Sequence, residues 1–447
     1  MKKTILLALC AITLGVNAQK KTVVKAKPLP PVSGKIMENA VIYEVNIRQY
    51  STEGTFNAFA KDIPQLKKLG IKILWVMPIH PIGVENRKEG LGSYYSVQDY
   101  RGVNSEFGNL QDFKNLVKKA HDNGMYVIMD WVPNHTAWDH AWVKEHPDYY
   151  ATDKDGKMIS PFDWTDVVKL NYDNPETRIA MVSDMTYWLK TANVDGFRCD
   201  VAGEVPSDFW KDATIQLNSV KPVFMLAEAE KPELLRNGFD MYYGWEEHHI
   251  MNGIAQGKKK VKDFDEYINK MNTTLEKDDI IMNLTSDHDE NSWNGTEYER
   301  LGDAVEVFAA MTYVIPGMPL IYNGQEYDFN RRLKFFTKDE LTHTKGKMFP
   351  IYEKLSALKN SNIALNGGKN PASYTRLTTS SDEQILSFAR EKNDKKVIYV
   401  ANLSKETQSF TVELEGTFLD YMTGKKVTFK KGDKLKYKAW EYHILVK

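Results

Sequence analysis

The chain has 447 residues, and its 59 Lys and Arg nearly cancel its 60 Asp and Glu. This length exceeds one ordinary domain and would accommodate a β/α barrel of about 250 residues or more with a further domain. The charge balance gives no field that favours nucleic acid or an anionic membrane as partner, so a neutral substrate is expected.

The first 18 residues have the pattern of a cleavable signal peptide. Lys2 and Lys3 precede an apolar run at residues 5–16, and the small residue Ala18 follows it. The run is shorter than the about 18 uninterrupted apolar residues of a membrane span, and no later segment reaches that length. We therefore expect export to the periplasm or the medium and no membrane span. After cleavage only Cys199 remains, so no intrachain disulfide is expected.

Residues 19–38 are rich in Lys, Pro and Val without apolar periodicity, which predicts a flexible lead-in. From there, short apolar runs alternate with segments of helical periodicity, as in parallel β/α units. Eight such runs predict a (β/α)8 TIM barrel over residues 39–369. The predicted strands lie near residues 40–50, 71–78, 125–132, 194–201, 222–228, 239–244, 279–287 and 318–324.

The segments between the strands carry helix signals. Asn174 is a candidate N-cap, followed by Pro175 and Glu176, and predicts a helix that ends near Ala192. Apolar residues fall on one helical face in two further segments: Phe56, Phe59, Ile63 and Leu66 in the first, and Leu110, Phe113, Val117 and Ala120 in the second.

Two regions depart from the β/α alternation. Residues 136–173 are far too long for an ordinary loop of a β/α unit, which predicts an inserted subdomain after the third strand. Its Trp, Tyr and Phe residues would either line a cleft or form a small core of their own. Residues 370–447 consist of short alternating runs without a helix signal, which predicts a C-terminal antiparallel β-sandwich.

Polar and ionisable residues end four of the predicted strands. The clusters read DWVPNH at 130–135, GFRCD at 196–200, LAE at 226–228 and DHD at 287–289. A β/α barrel forms its active site at the C-terminal strand ends, so Asp200, Glu228 and Asp289 would share one mouth. Clustered carboxylates repel one another, which indicates chemistry. Two carboxyls about 5 to 5.5 Å apart would suit a retaining glycosidase.

These four clusters, in this order, resemble the α-amylase family of glycoside hydrolases, family thirteen, particularly its secreted bacterial amylase and neopullulanase-like members. The resemblance covers about residues 41–365, and the trailing β-domain is similar to the usual C-terminal domain of the family. It implies that Asp200 is the nucleophile, Glu228 the general acid/base, and Asp289 the carboxylate that stabilises the transition state.

The resemblance also implies substrate-binding residues. His135 and His288 match positions that hydrogen-bond the sugar being cleaved, and Tyr95 matches the stacking platform of the family. Arg198 is expected to contact this same centre. Trp293 is a candidate wall of an outer subsite.

The protonation states follow from strand geometry. Arg198 lies two residues before Asp200, hence on the same strand face, and is expected to keep the nucleophile ionised. Glu228 needs a raised pKa, which burial near two anions would provide. Glu230 is the rival for the acid/base role, but it lies further out and lacks the family position. Glu204 is expected to be a loop residue or an outer contact.

Other residues of the clusters have structural expectations. Asp130 and Asn134 are expected to hold Arg198 and the insertion. Cys199 should point away from the mouth into the core. Asp287 stands where the family usually has Asn, and it could raise the pKa of a neighbour or stay protonated.

Residues 201–204 lack the Lys and His that typical α-amylases use at the next glucose and to support calcium. No cofactor is required for the chemistry. Calcium is a candidate ligand, with Asn134 and Asp163 as contributors, but no ligand set is evident from the spacing.

The leading prediction is a retaining hydrolase of α-1,4 bonds in starch-derived glucans such as maltooligosaccharides, pullulan or cyclodextrins. Transglycosylation through the same intermediate is the close alternative. A third alternative is a glucan-binding protein that has lost catalysis, against which the complete carboxylate set argues. The sequence carries no signal for an oligomeric state.

Overall fold

A computed structural model describes residues 29–447. The predicted signal peptide and the lead-in up to residue 28 lie outside the described residues. Residues 29–38 pack beneath the barrel through the buried Val32, and Tyr126 donates a hydrogen bond to the Pro30 carbonyl. No helix in the described part of the chain is long and apolar enough to cross a membrane.

Eight parallel strands form a closed barrel, each paired with its neighbours in chain order. The predicted TIM barrel is thus confirmed, with every strand inside its predicted range. The strands span Ile42–Val45, Ile73–Val76, Tyr126–Trp131, Gly196–Cys199, Phe224–Ala227, Met241–Tyr243, Ile280–Asn283 and Met318–Tyr322.

Strand alternation divides the core into two shells. Ile42, Trp75 and Ile128 belong to a cluster inside the barrel, whereas Tyr43 and Cys199 belong to the larger cluster between barrel and helices. Cys199 therefore points away from the mouth, as predicted. The inner shell is apolar at its lower levels, and its uppermost level carries the polar side chains of the active site.

Helices surround the barrel in the predicted places. The Asn174 side chain accepts a hydrogen bond from the Glu176 amide, and the helix that it caps ends at Thr191. The two predicted apolar faces are buried except for Leu110, which is partly buried. The main helices of the barrel domain are Phe56–Phe59, Ile63–Leu69, Leu110–Asp122, Pro175–Thr191, Ser207–Val220, Glu233–Arg236, Trp245–Ala255, Val261–Thr274, Glu297–Leu301, Val305–Val314 and Met348–Ser361.

The insertion after the third strand is built on an antiparallel hairpin. Its strands are His135–Ala137 and Val167–Lys169, and the helix Ala141–Glu145 lies between them. Tyr149 and Tyr150 are buried, whereas Trp164 lines a cleft at the mouth of the barrel. The aromatic residues of the insertion thus contribute both to a small core and to the cleft.

The C-terminal region forms two antiparallel sheets with a shared apolar core, which confirms the predicted sandwich. Phe410 and Tyr437 of the smaller sheet cluster with Ile398 and Leu445 of the larger one. The larger sheet has the strand order Ser373–Arg376, Ile385–Lys392, Lys395–Asn402, Tyr442–Val446, Gly416–Asp420, Lys425–Phe429, and the smaller pairs Gln408–Thr411 with Lys434–Tyr437.

Gly196 begins the strand that carries the predicted nucleophile, and it permits a close approach of two backbones. Its φ is +150°, and a Cβ added here would lie 1.9 Å from the Phe224 carbonyl oxygen on the next strand. Backbone of a closed barrel has little room to move, so a side chain at this position would separate the two strands.

We predict that Gly196→Ala lowers the free energy of unfolding by about 3 kcal/mol or more, because overpacking adds to backbone strain. Urea denaturation followed by circular dichroism measures the change. Gly124→Ala is the control, since Gly124 has φ +78° and no described heavy atom within 4 Å of its added Cβ. It should cost only about 1 to 2 kcal/mol for the left-handed backbone. Equal losses in the two variants would contradict the close-approach argument.

Candidate active site

The C-terminal ends of the barrel strands open into a cleft of about 530 Å³. A larger cavity of about 810 Å³ lies beside the C-terminal domain around Trp440, but it contains none of the strand-end carboxylates. The chemistry therefore belongs to the smaller cleft. Its walls are formed by Lys88, Ser93, Tyr95, His135, Asp163, Trp164, Asp166, Val167, Asp200, Val201, Glu228, Asp289, Trp293, Phe335 and Phe336.

The barrel brings the predicted site residues together. All three carboxylates line the cleft, and so do Tyr95, His135 and Trp293. Arg198 and His288 lie beneath its floor and contact the lining residues directly. The four strand-end clusters thus meet at one place, as their positions in the sequence predict.

Arg198 is the centre of the site. Its Nη1 atom lies 2.8 Å from Asp130 Oδ1 and 3.1 Å from Asp200 Oδ1, and its Nη2 lies 2.9 Å from Glu228 Oε1. Its Nε donates to the Tyr243 hydroxyl at 3.2 Å. The guanidinium is fully buried, so these carboxylates replace the water that it has lost. Asp130 makes the contact with Arg198 that the sequence predicts.

The nucleophile candidate Asp200 does not have the electrostatics expected from the sequence. Burial raises its pKa well above the usual range, and the neighbouring Glu228 adds to this, so that both outweigh the ion pair with Arg198. The Glu228 side chain accepts a hydrogen bond from the Val201 amide at 2.7 Å besides its pairing with Arg198. The expectation that Arg198 keeps Asp200 ionised is thus not met in the empty site, because burial outweighs the ion pair.

Val201 reaches Glu228 through an unusual backbone conformation. Its φ is +38°, in the left-handed region that β-branched residues rarely adopt. The conformation directs the Val201 amide at the carboxylate, so local strain accompanies this hydrogen bond.

Asp289 is the most exposed of the three carboxylates, with 38% of its side chain accessible. Trp293 Nε1 donates to its Oδ1 at 3.1 Å, and His288 Nε2 lies 3.3 Å from its Oδ2. The carboxylate is thus fixed from two sides while it still faces the cleft.

Two groups of aromatic side chains line the cleft. Trp293 packs against Phe335 and Phe336, with ring centroids 5.1 and 5.9 Å apart. On the insertion side, Trp164 contacts the His135 ring edge-on at 5.5 Å. Burial lowers the pKa of His135 to about 4, so this imidazole is neutral near pH 7 and suited to hydrogen-bonding a neutral ligand.

Several residues of the site were not predicted from the sequence. Glu44 binds His288 from the first strand, and Trp75 donates to Asp130. Glu44 has a detectable signal, because it is a lone charge within an apolar strand. Phe335 and Phe336 have no such signal in the sequence, since they lie after the eighth strand in a loop without periodicity.

The rejected candidates lie elsewhere. Glu230 accepts hydrogen bonds from the Glu246 amide and is absent from the cleft lining, and Glu204 lies in an exposed turn outside it. Asp287 is fully buried beneath the cleft, and burial raises its pKa well above the usual range.

The residues suggested for calcium do not form a ligand cluster. Asn134 is buried and its side-chain nitrogen lies 3.3 Å from His135 Nδ1, whereas Asp163 is exposed at the cleft wall. Within residues 29–447, no three or more Asp, Glu, His and Cys side chains gather as a metal site would require. Calcium binding stays a prediction.

Known proteins share this fold and sequence pattern. The sequence-family model of the α-amylase catalytic domain matches residues 43–233. The crystal structure of the maltogenic α-amylase AmyB from Thermotoga neapolitana superposes with a TM-score of 0.84 at 30% identity, over 91% of this chain and 98% of that one. Alpha-amylase 3 of Dictyoglomus thermophilum is 26% identical over 85% of this chain and 87% of its own length. Alpha-amylase MalA of Haloarcula japonica is 24% identical, and the match spans 56% of its length.

The chain therefore belongs to the α-amylase family of glycoside hydrolases. It is an enzyme of this class, with the barrel, the strand-end carboxylates and the C-terminal sandwich in one chain.

Trp293 offers a direct test of the cleft wall. We predict that Trp293→Ala raises KM for a linear maltooligosaccharide about 3- to 10-fold, the range expected for the loss of one aromatic contact. Trp293→Phe should retain most of the affinity, because it keeps the ring and loses only the hydrogen bond to Asp289. Initial rates over a range of substrate concentrations measure both. An unchanged KM in the alanine variant would exclude Trp293 from the substrate contacts.

Proposed function

We propose that the protein hydrolyses α-1,4-glucosidic bonds of starch-derived glucans, with retention of configuration at the anomeric carbon. The observation that carries the proposal is the convergence of Asp130, Asp200 and Glu228 on the buried guanidinium of Arg198, with Asp289 across the same cleft. Two acids at the reacting bond and a third that binds the sugar are the arrangement that glycosidic cleavage by retention requires.

Asp200 attacks the anomeric carbon and Glu228 donates a proton to the departing glycosidic oxygen. The bond between the anomeric carbon and that oxygen breaks as the bond to the Asp200 carboxylate forms. Attack requires an anionic Asp200, whereas burial and Glu228 raise its pKa in the empty site. If Asp200 and Glu228 share one proton, that proton must lie on Glu228 in the reactive complex. There the leaving glycosidic oxygen replaces water beside Glu228 and accepts the proton.

A water molecule then completes the reaction. Glu228, now anionic, removes a proton from water, which attacks the anomeric carbon and releases Asp200. The two inversions leave the new reducing end in the α configuration. Asp289 and the neutral His135 bind sugar hydroxyls, and Tyr95 supports the ring of the sugar being cleaved. Arg198 holds the two acids at their separation throughout.

The cleft supports a preference for short glucans. It is lined by Trp164 of the insertion and by Trp293 with the adjoining phenylalanines. Similarity to a maltogenic α-amylase supports maltose-sized products from maltooligosaccharides, pullulan or cyclodextrins. A sugar hydroxyl in place of water would give transglycosylation from the same intermediate. The pattern of residues 1–18 supports export to the periplasm or medium.

Product analysis tests the reaction. Incubation with starch and a cyclodextrin should release short maltooligosaccharides, and pullulan should release short oligosaccharides that retain the α-1,6 bond. The first product detected by proton NMR should be the α-anomer. Asp200→Asn should lose about four orders of magnitude or more in kcat, because the attacking carboxylate is removed. Initial formation of the β-anomer would refute retention. Longer products that form only with an added acceptor sugar would indicate the transferase, and binding without any cleavage would indicate the binding protein.

A matched pair of variants tests the acid/base assignment. Glu228→Gln should lose about three orders of magnitude or more with natural glucans, yet still release a burst of fluoride from α-maltosyl fluoride, because fluoride departs without a proton. Glu230→Gln makes the same change two residues further along and should retain near-normal activity, since Glu230 binds the Glu246 amide outside the cleft. If Glu230→Gln lost activity while Glu228→Gln retained it, the acid/base role would belong to Glu230.

A further inference from the structure

Glu44 is a fully buried carboxylate in a position that none of the proposed catalytic steps uses. It lies on the first barrel strand, two residues after Ile42, and so faces the barrel interior. One of its oxygens is 2.6 Å from His288 Nδ1, and the other has no hydrogen-bond partner among residues 29–447. A buried carboxylate costs free energy unless a charge compensates it, so the His288 contact is expected to be ionic.

The surroundings of His288 require a proton on each ring nitrogen. Nδ1 faces Glu44, and Nε2 lies 2.8 Å from the Tyr95 hydroxyl and 3.3 Å from Asp289 Oδ2. The Tyr95 hydroxyl donates its own proton to Asp130, so it accepts from His288. A neutral imidazole donates from only one nitrogen, whereas an imidazolium donates from both.

We propose that Glu44 is a positioning residue that keeps His288 as an imidazolium, and that His288 in turn fixes Asp289 for the sugar. The proposal rests on the proposed function for the role of Asp289. Glu44, His288 and Asp289 would then form a row of alternating charges, which runs from the barrel interior to the most exposed of the three carboxylates. Glu44 itself touches no ligand, because it is absent from the cleft lining.

The other charged groups near His288 support the same charge state. Burial acts to lower the pKa of His288, but the negative charges of Asp289, Glu44 and Asp287 raise it by more than burial lowers it. The pKa therefore lies well above its ordinary value. Burial raises the pKa of Glu44, and His288 opposes this shift. The titratable or charged groups around the pair are Tyr95, Asp130, Arg198, Tyr243, Asp287, Asp289 and Tyr322.

The test is Glu44→Gln, which preserves shape and the hydrogen-bond acceptor but removes the charge. If Glu44 holds the imidazolium, its loss should move the alkaline limb of kcat/KM down by about one to three pH units. Glu326→Gln is the matched control. Glu326 is equally buried, but it accepts from the Tyr43 hydroxyl at 2.5 Å and does not face His288. This control should keep the wild-type pH profile.

A spectroscopic readout tests the charge without using activity. In protein labelled with 15N-histidine, and with the resonances assigned through His288→Gln, both ring nitrogens of His288 should have imidazolium shifts at pH 7.5. In Glu44→Gln they should have the shifts of a neutral ring at the same pH. The wild-type spectrum alone decides the charge state if the variant fails to fold.

Two results would overturn the proposal: a neutral His288 in the wild type, or an alkaline limb in Glu44→Gln that coincides with the wild type. Failure of the proposed function is recognised separately, as absence of glucan cleavage by the wild type. In that case the nitrogen shifts still report whether Glu44 holds the imidazolium.

Discussion

The site depends on a buried guanidinium. Arg198 has no access to solvent, and its hydration is replaced by Asp130, Asp200 and Glu228 from its own and neighbouring strands. Removing one partner of such a buried set leaves uncompensated charge, which typically costs several kcal/mol. The same contacts hold Asp200 and Glu228, the two acids of the proposed reaction, at a fixed separation. Structural stability and chemical competence at the centre of this barrel therefore depend on the same ion pairs.

The number of acids exceeds the number of cations at this centre. Six carboxyl groups, those of Glu44, Asp130, Asp200, Glu228, Asp287 and Asp289, share two cationic side chains, Arg198 and His288. Burial raises the pKa values of Asp200 and Asp287, and the neighbouring carboxylates raise them further. In the proposed reaction, such a centre favours an oxocarbenium-like transition state, because developing positive charge on the sugar relieves the repulsion.

The fold was predictable because each barrel strand is a short buried apolar run. The family position at the strand end separated Glu228 from Glu230, which strand parity places on the same face, and the structure puts only Glu228 in the cleft. Glu44 was missed although its charge is anomalous, because active-site residues of such barrels are expected at strand ends and Glu44 lies inside a strand. The C-terminal sandwich was recognisable from the change in periodicity after residue 369.

Other features depend on distances that a sequence does not contain. The protonation of Asp200 results from the balance of burial, Glu228 and Arg198, and the sequence reveals only that Arg198 is near. Phe335 and Phe336 enter the cleft through a loop whose path no periodicity specifies. The left-handed conformation of Val201 is similarly unpredictable, because its residue type disfavours that backbone.

The walls of the cleft and its floor come from separate parts of the chain. The floor consists of strand residues that also hold the barrel together, whereas Trp164 belongs to the inserted hairpin and Phe335 to a loop. Exchange of either segment would alter which glucans fit while leaving the folding core unchanged. Substrate range can therefore diverge through replacement of peripheral segments, without any change to the strands that hold the chemistry.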